Sequence, residues 1–436
     1  MNSKIHIYGI KLGLCCLIAG LIAGLLATVA FLAPPHISQY IPFQKFRPVH
    51  VSLMLFWILT TSAGGIIYYL REIKKKPLIA PWAIVLFLLL WVITILIIQF
   101  SYLTGNFGGR EYWEYPPVIS ILILVSWVFL IYFFFKNVVI TKNQPVYIWM
   151  WITGIIMFFI SFVESNLWLL PWFKENIVRD ITLQWKSNGS IVGAWNMLVY
   201  GTGIYIMTRI SGSDAPAKKP VAFFFYFLGL ANLLFNWGHH LYTVPTAPWI
   251  RHIAYAVTMT EWIILINIIR NWRKSVKDTQ KYFYILPYRF LLAAEFWIFI
   301  NLILALLISI PAINVYTHGT HITVAHAMGT TIGINTMMLL GSVTYILNSI
   351  NKHRSRLILR GYWITNISVF IFLTALISAG ITKGYYTTHL GETNFQEVMR
   401  HVYPSLWVFG VAGVGVIIGL LHTVVPLFSV KSKIDE

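Results

Sequence analysis

The chain has 436 residues, 58% of them hydrophobic and only 11% charged, with 14 acids against 32 lysines and arginines. A soluble domain carries about 25% charged residues, so these few charges exclude a water-facing globular surface. The formal charge of +18 invites nucleic acid as a partner. Its placement excludes that reading, because the basic residues sit in short segments between long apolar runs.

Twelve apolar runs of about 20 residues, long enough to span hydrocarbon, follow in chain order: 8–33, 47–70, 79–102, 117–137, 146–170, 185–209, 219–241, 248–270, 287–311, 319–350, 359–382 and 402–429. They predict an all-α, polytopic membrane protein, a single integral membrane domain over residues 1–436 with no soluble module or tandem repeat. Every second run is followed by lysines and arginines: Arg71 and Lys74 to Lys76, Lys136 and Lys142, Lys218 and Lys219, Arg270 to Lys277, Lys352 to Arg360, and Lys431 with Lys433. By the positive-inside rule those segments and both termini face the cytoplasm. Pro34-Pro35 follows the first run with no small-residue cleavage pattern, which reads as a span and not a signal peptide. Cys15 and Cys16 inside it read as packing residues. The absence of Cys-x-x-Cys-His means that the chain attaches no c-type haem.

Polar residues inside such runs are costly and mark function. The second run opens with His50, an interfacial residue or a ligand. The loop after the third run reads Gly-Gly-Arg-Glu-Tyr-Trp-Glu-Tyr-Pro-Pro, residues 108–117, carrying Arg110, Glu111 and Glu114. The seventh run ends in Phe-Asn-Trp-Gly-His-His-Leu-Tyr, with His239 and His240 side by side. Neutral imidazole is the commonest ligand for iron, copper and zinc. The tenth run begins Tyr-Thr-His-Gly-Thr-His-Ile-Thr-Val-Ala-His-Ala-Met-Gly, residues 316–329. His326 and Met328 are two positions apart, about 200° around a helix, so they face opposite sides. A helix with an iron ligand on each side can stand between two haems. Glu164, Glu261 and Glu295 are acids within spans. They read either as proton carriers or as buried, hydrogen-bonded acids.

Together these motifs resemble the haem-copper oxidase superfamily, and most closely the catalytic large subunit of bacterial nitric oxide reductase. The resemblance covers nearly the whole chain. His-His in the seventh run and His-x-ligand in the tenth are shared with cytochrome oxidases. The Gly-Arg-Glu-x-x-Glu-x-Pro loop, the Thr-His-Gly-Thr run and Glu261 look like the reductase branch. The oxidase motif His-Pro-Glu-Val-Tyr, whose His and Tyr are cross-linked, is absent.

What the resemblance implies is specific. His50 is an axial ligand of a low-spin haem b and His326 the proximal ligand of a high-spin, b3-type haem. His239 and His240 hold a non-haem iron or another metal. Glu111, with Glu114 and Arg110 near it, helps bind a calcium ion that bridges haem propionates. Glu261 assists proton delivery. The substrate is nitric oxide, electrons come from a c-type cytochrome partner, and the location is the inner (cytoplasmic) membrane of a bacterium.

Two departures stand against the pattern. Met328 replaces the second histidine of the pair in the tenth run, which predicts His50/Met328 ligation of the low-spin haem, and thioether sulfur raises a haem's potential relative to two imidazoles. In the sixth run the expected third histidine is Asn188, and the expected glutamates are Val192 and Asn196, with Trp195 retained. A similar loss marks relatives proposed to be nitric oxide dismutases, which convert nitric oxide to dinitrogen and dioxygen. Three readings follow: a reductase, a dismutase, and a transporter or haem-carrying subunit without turnover.

Overall fold

Lipid offers a backbone no hydrogen bonds, so each apolar run must satisfy its own N–H and C=O groups by coiling. A computed structural model of the chain, describing residues 4–32, 39–74, 77–260, 273, 277–347 and 350–429, shows this throughout. Its main helices are α1 Ile5–Leu32, α2 Phe43–Lys74, α3 Pro81–Thr104, α4 Ser120–Asn137, α5 Val146–Glu164, α6 Ile177–Ser211 and α7 Pro220–Phe235. They continue with α8 Pro248–Thr260, α9 Ile285–Ser309, α10 His321–Met328, α11 Met337–Ile346, α12 Lys352–Gly384 and α13 Phe395–Val424. Among the described residues the only β feature outside helices is an isolated bridge between Arg110 and Trp113.

Ten helices among the described residues are long and apolar enough to cross a membrane. The other two expected spans have particular reasons for falling outside that count. The run 248–270 is described only as far as α8, and its remainder, including Glu261, lies outside the described residues. The run 319–350 is helical from His321 to Ile346, but α10 and α11 are joined by a π-helical segment, Gly329–Thr336. Such wide turns occur mostly at functional sites.

Three helices begin about two turns earlier than the apolar runs suggest. The expected starts at 185, 359 and 402 become Ile177, Lys352 and Phe395. In each case an asparagine just ahead accepts hydrogen bonds from the first turn: Asn176 from Val178 and Arg179, Asn351 from Arg354, and Asn394 from Gln396 and Glu397. These caps satisfy backbone donors that a helix start leaves orphaned. They carry the helices into polar sequence that hydropathy cannot register.

The interior is aromatic. Trp57, Trp91, Trp127, Trp151 and Trp297 are fully buried, while Leu96, Phe100 and Val411 point outward, as a lipid-facing surface requires. A buried indole N–H needs an acceptor. Thr336 serves Trp57 at 3.1 Å, Thr60 serves Trp91 at 2.8 Å, and Thr202 serves Trp151 at 3.1 Å. At the end bearing the basic loops, Glu72 of α2 accepts from Arg209 and Tyr205 of α6 and ties those helices together. The opposite end carries the candidate site.

Candidate metal and cofactor centre

His50 sits one turn into the regular part of α2, against α1. Its Nδ1 lies 2.7 Å from the carbonyl oxygen of Gly20. A carbonyl only accepts, so Nδ1 carries the proton and Nε2 keeps the lone pair. This is the tautomer a haem ligand needs, fixed by its second nitrogen. The ring fits because α1 presents glycine: a Cβ on Gly24 would stand 2.6 Å from Nδ1.

His239 and His240 follow α7 in a 3₁₀ segment, Asn236–Leu241. Their rings nonetheless lie together, with centroids 4.2 Å apart, although successive residues of a 3₁₀ turn are about 120° apart. His239 Nδ1 lies 3.0 Å from Asn236 Oδ1, and the same oxygen accepts from the Thr258 hydroxyl of α8. The hydroxyl fixes the amide, the amide fixes the imidazole, and Nε2 is left free to ligate. The His240 ring stacks on Trp185 of α6, with 4.3 Å between centroids and 8° between planes.

α6 approaches this segment closely. A Cβ on Gly189 would meet Trp237 Cβ at 2.6 Å, so the backbones meet where only glycine fits. Asn188, its neighbour, is buried. It lines a narrow cavity shared with Arg110, Trp113, Asp180, Gln184 and Ser187. Among the described residues no three His, Cys, Asp or Glu side chains gather as a metal cage. The donors that the fold presents are thus the two imidazoles, which suit a late transition metal and leave open positions.

The histidine-rich run begins with a turn at Gly319, φ 70°, whose carbonyl accepts from Lys383 at 3.0 Å. Thr320 then caps α10 by accepting from Ile322. Burial holds the His318 imidazole below its ordinary range, so it is neutral at neutral pH. His326 has its Nδ1 buried with no hydrogen-bond partner. Met328 packs, half-buried, against the core. Its depth can be read from neighbours. Trp57 of α2 meets Thr336, and Tyr345 at the far end of α11 lies near Tyr68 and Glu72 at the far end of α2. The two paths therefore run in the same direction. His50 is seven residues before Trp57 on α2, and Met328 eight residues before Thr336 along the π-helical segment, so both lie on the same side of that contact.

The loop after α3 turns at Gly105, φ 80°, and again at Tyr112, a non-glycine residue at φ 75°. Arg47 of α2 reaches into it. Its Nη1 lies 2.7 Å from Glu114 and its Nη2 3.0 Å from Glu111. Burial pushes the Glu114 carboxyl up, and the Arg47 guanidinium pulls it part of the way back. Arg110 pairs with Asp180 at 2.7 Å and lies over the Trp168 ring.

Of the expected residues, His239, His240 and the stretch of α6 bearing Asn188 come together. His50 and Met328 lie on the same side of the Trp57–Thr336 contact, and Glu111 stands at the same end of the bundle. Glu164 and Glu295 are paired, with Lys186 and with Arg273 at 3.2 Å. Sequence reading passed over Arg47, Asn236, Thr258, Trp185 and Asp180. Two of these were within reach of it, because Arg47 precedes His50 and Asn236 precedes His239 by three residues, one helical turn.

Comparison with known proteins agrees with this architecture. The family model of cytochrome C and quinol oxidase polypeptide I matches residues 4–415. A nitric oxide reductase subunit of Stutzerimonas stutzeri is 22% identical over 91% of this chain and 88% of its own length. Cytochrome c oxidase subunit 1 of Rhodobacter capsulatus is 21% identical, over 90% and 77%. A chain of a solved heme-copper terminal oxidase dimer superposes with a TM-score of 0.70 at 16% identity, covering 98% of this chain and 84% of its own. Free imidazole nitrogens, a glycine cradle and a helix with ligand candidates on two sides fit haem and a second metal. This chain belongs to the cytochrome C and quinol oxidase polypeptide I family, the heme-copper oxidase subunit I family of membrane haem oxidoreductases.

Proposed function

We propose that the chain is the catalytic subunit of a nitric oxide reductase, joining two nitric oxide molecules into nitrous oxide and water with two electrons and two protons. The observation that carries this reading is the company of the His239–His240 pair. It is faced by an indole, Trp185, and approached by the stretch of α6 that bears an amide, Asn188. The tyrosine that follows the pair, Tyr242, donates its hydroxyl to the Ser309 carbonyl at 3.1 Å. Reducing dioxygen to water takes four electrons, and the oxidases of the resemblance keep a cross-linked tyrosine at that metal. Joining two nitric oxides takes two electrons and needs no such donor.

A low-spin haem b, a high-spin b3-type haem and a non-haem metal would supply the electrons and two adjacent coordination positions. His50 and Met328 would hold the first haem, His326 the second, and His239 and His240 with Asn188 the metal. Asn236 and Thr258 keep His239 in its ligating tautomer. Buried Leu241, Ala254, Ile322 and Ala325 line the neighbouring segments with apolar surface, which limits water and favours productive encounter of two small molecules. Protons would enter beside Arg110 and Asp180, which line one cavity with Asn188. Electrons come from a c-type cytochrome partner. The enzyme lies in the cytoplasmic membrane of a bacterium, with both termini inside.

One observation favours a second reading, nitric oxide dismutation. Asn188, Val192 and Asn196 leave this stretch of α6 without imidazole or carboxylate, and Asn196 accepts from Asn335 at 3.1 Å. Purified protein given ¹⁵N-labelled nitric oxide separates the two. Labelled nitrous oxide formed only with reductant supports the reductase. Labelled dinitrogen with dioxygen and no reductant supports the dismutase and removes the first reading.

A further inference from the structure

A calcium ion beside Glu111 is implied by the resemblance, and the residues present do not fit it. Calcium takes six to eight oxygen ligands. Here one oxygen of each carboxylate already faces a guanidinium nitrogen, at 3.0 Å for Glu111 and 2.7 Å for Glu114, and Glu114 Oε2, buried without a partner, is a single further oxygen where calcium takes several. Backbone oxygens are engaged as well: the Glu114 carbonyl accepts from Gly108 and Gly109, and the Arg110 carbonyl from Trp113. No third acidic group joins the pair among the described residues, and Asp180 is taken by Arg110.

We propose that the Arg47 guanidinium is the permanent cation of this site, standing where relatives would place calcium, and that the chain binds no calcium there. The geometry is that of a bridge, one nitrogen to each carboxylate. A divalent ion brought to the same carboxylates would meet a fixed positive charge within a few ångströms. Lys45, two residues earlier, donates to the Leu103 carbonyl at 2.8 Å, so α2 holds the loop with two cations. The pairs are partly exposed, with side-chain exposures of 38% for Arg47, 41% for Glu111 and 17% for Glu114. Such pairs add little stability, so their effect is positional. Arg47 lies one turn before His50, and the charge is therefore carried by the helix that holds the imidazole. A bound ion can be lost, whereas a side chain on that helix cannot.

This inference rests on the family and on the loop, and it holds whichever gas reacts. The test uses the full chain, purified with its haem, and calcium ion as the probe. After treatment with EGTA and re-exposure to calcium, elemental analysis should find well under one calcium per chain. The haem spectrum and thermal midpoint should be the same in calcium and in EGTA. About one calcium per chain, whose removal shifts the spectrum or lowers the midpoint, overturns the proposal. Arg47→Gln should acquire what the wild type lacks, a thermal midpoint that rises with added calcium. If the variant folds and ignores calcium, the guanidinium is not standing in a cation's place and the proposal fails. If the variant does not fold, the wild-type calcium content decides alone.

Discussion

The two halves of the centre hold their imidazoles by different means. His50 is set by main chain, through the Gly20 carbonyl and the bare backbone at Gly24. His239 and His240 are set by side chains: Asn236 under Thr258 on one ring, and Trp185 stacked on the other. A ligand held by a backbone carbonyl is hard to retune by substitution, because that partner is present whatever the residue. A ligand held by side chains can be retuned one substitution at a time. The departures from the family pattern at Asn188, Val192 and Asn196 fall on α6, beside the second kind of ligand. That is the half where reductase and dismutase readings diverge.

The largest test of this contrast is Gly24→Leu. With 2.6 Å between an added Cβ and the His50 ring, overpacking leaves no room for imidazole or haem edge. The low-spin haem signature should disappear while the non-haem metal stays. An unchanged optical and EPR spectrum would break the contrast. A middle effect is expected for Asn236→Ala, which removes the orienting acceptor but no ligand. Loss of such outer partners costs roughly 10–100-fold in metal affinity, read by competition with a chelator, with both haem spectra retained. Tight metal binding in this variant would mean that the 3₁₀ backbone alone orients the pair. The smallest effect is Met328→His, which exchanges one axial donor for another. The haem should stay low-spin, with a potential lower by a modest part of the roughly 0.8 V that axial ligands span. A redox titration identical to wild type would show that Met328 packs without ligating.

Much of the fold was legible because hydropathy alone places most of the crossing helices, and the run at 117–137 coincides with the observed span Pro117–Asn137. The ligand candidates were legible too, since histidine stands out against leucine and isoleucine. Helix starts were not, because Asn176, Asn351 and Asn394 cap helices whose first turns are polar. The supporting partners were hidden for another reason. Trp185 meets His240, and Arg47 meets Glu111 and Glu114, only after helices distant in sequence pack. The pairing of Arg110 with Asp180 was hidden in the same way, since it joins residues 70 apart in sequence.

The wide turn at Gly329–Thr336 has a consequence for how this chain can vary over time. A segment wound on longer hydrogen-bonded rings accommodates an extra residue without lengthening the rod it belongs to. Insertions or deletions of a single residue can therefore be absorbed there by rewinding. Above it, His326 and Met328 keep their depth, and below it Tyr345 keeps its place near Glu72. The segment works as an expansion joint, letting the lower half of the span diverge in sequence while the upper half keeps its register.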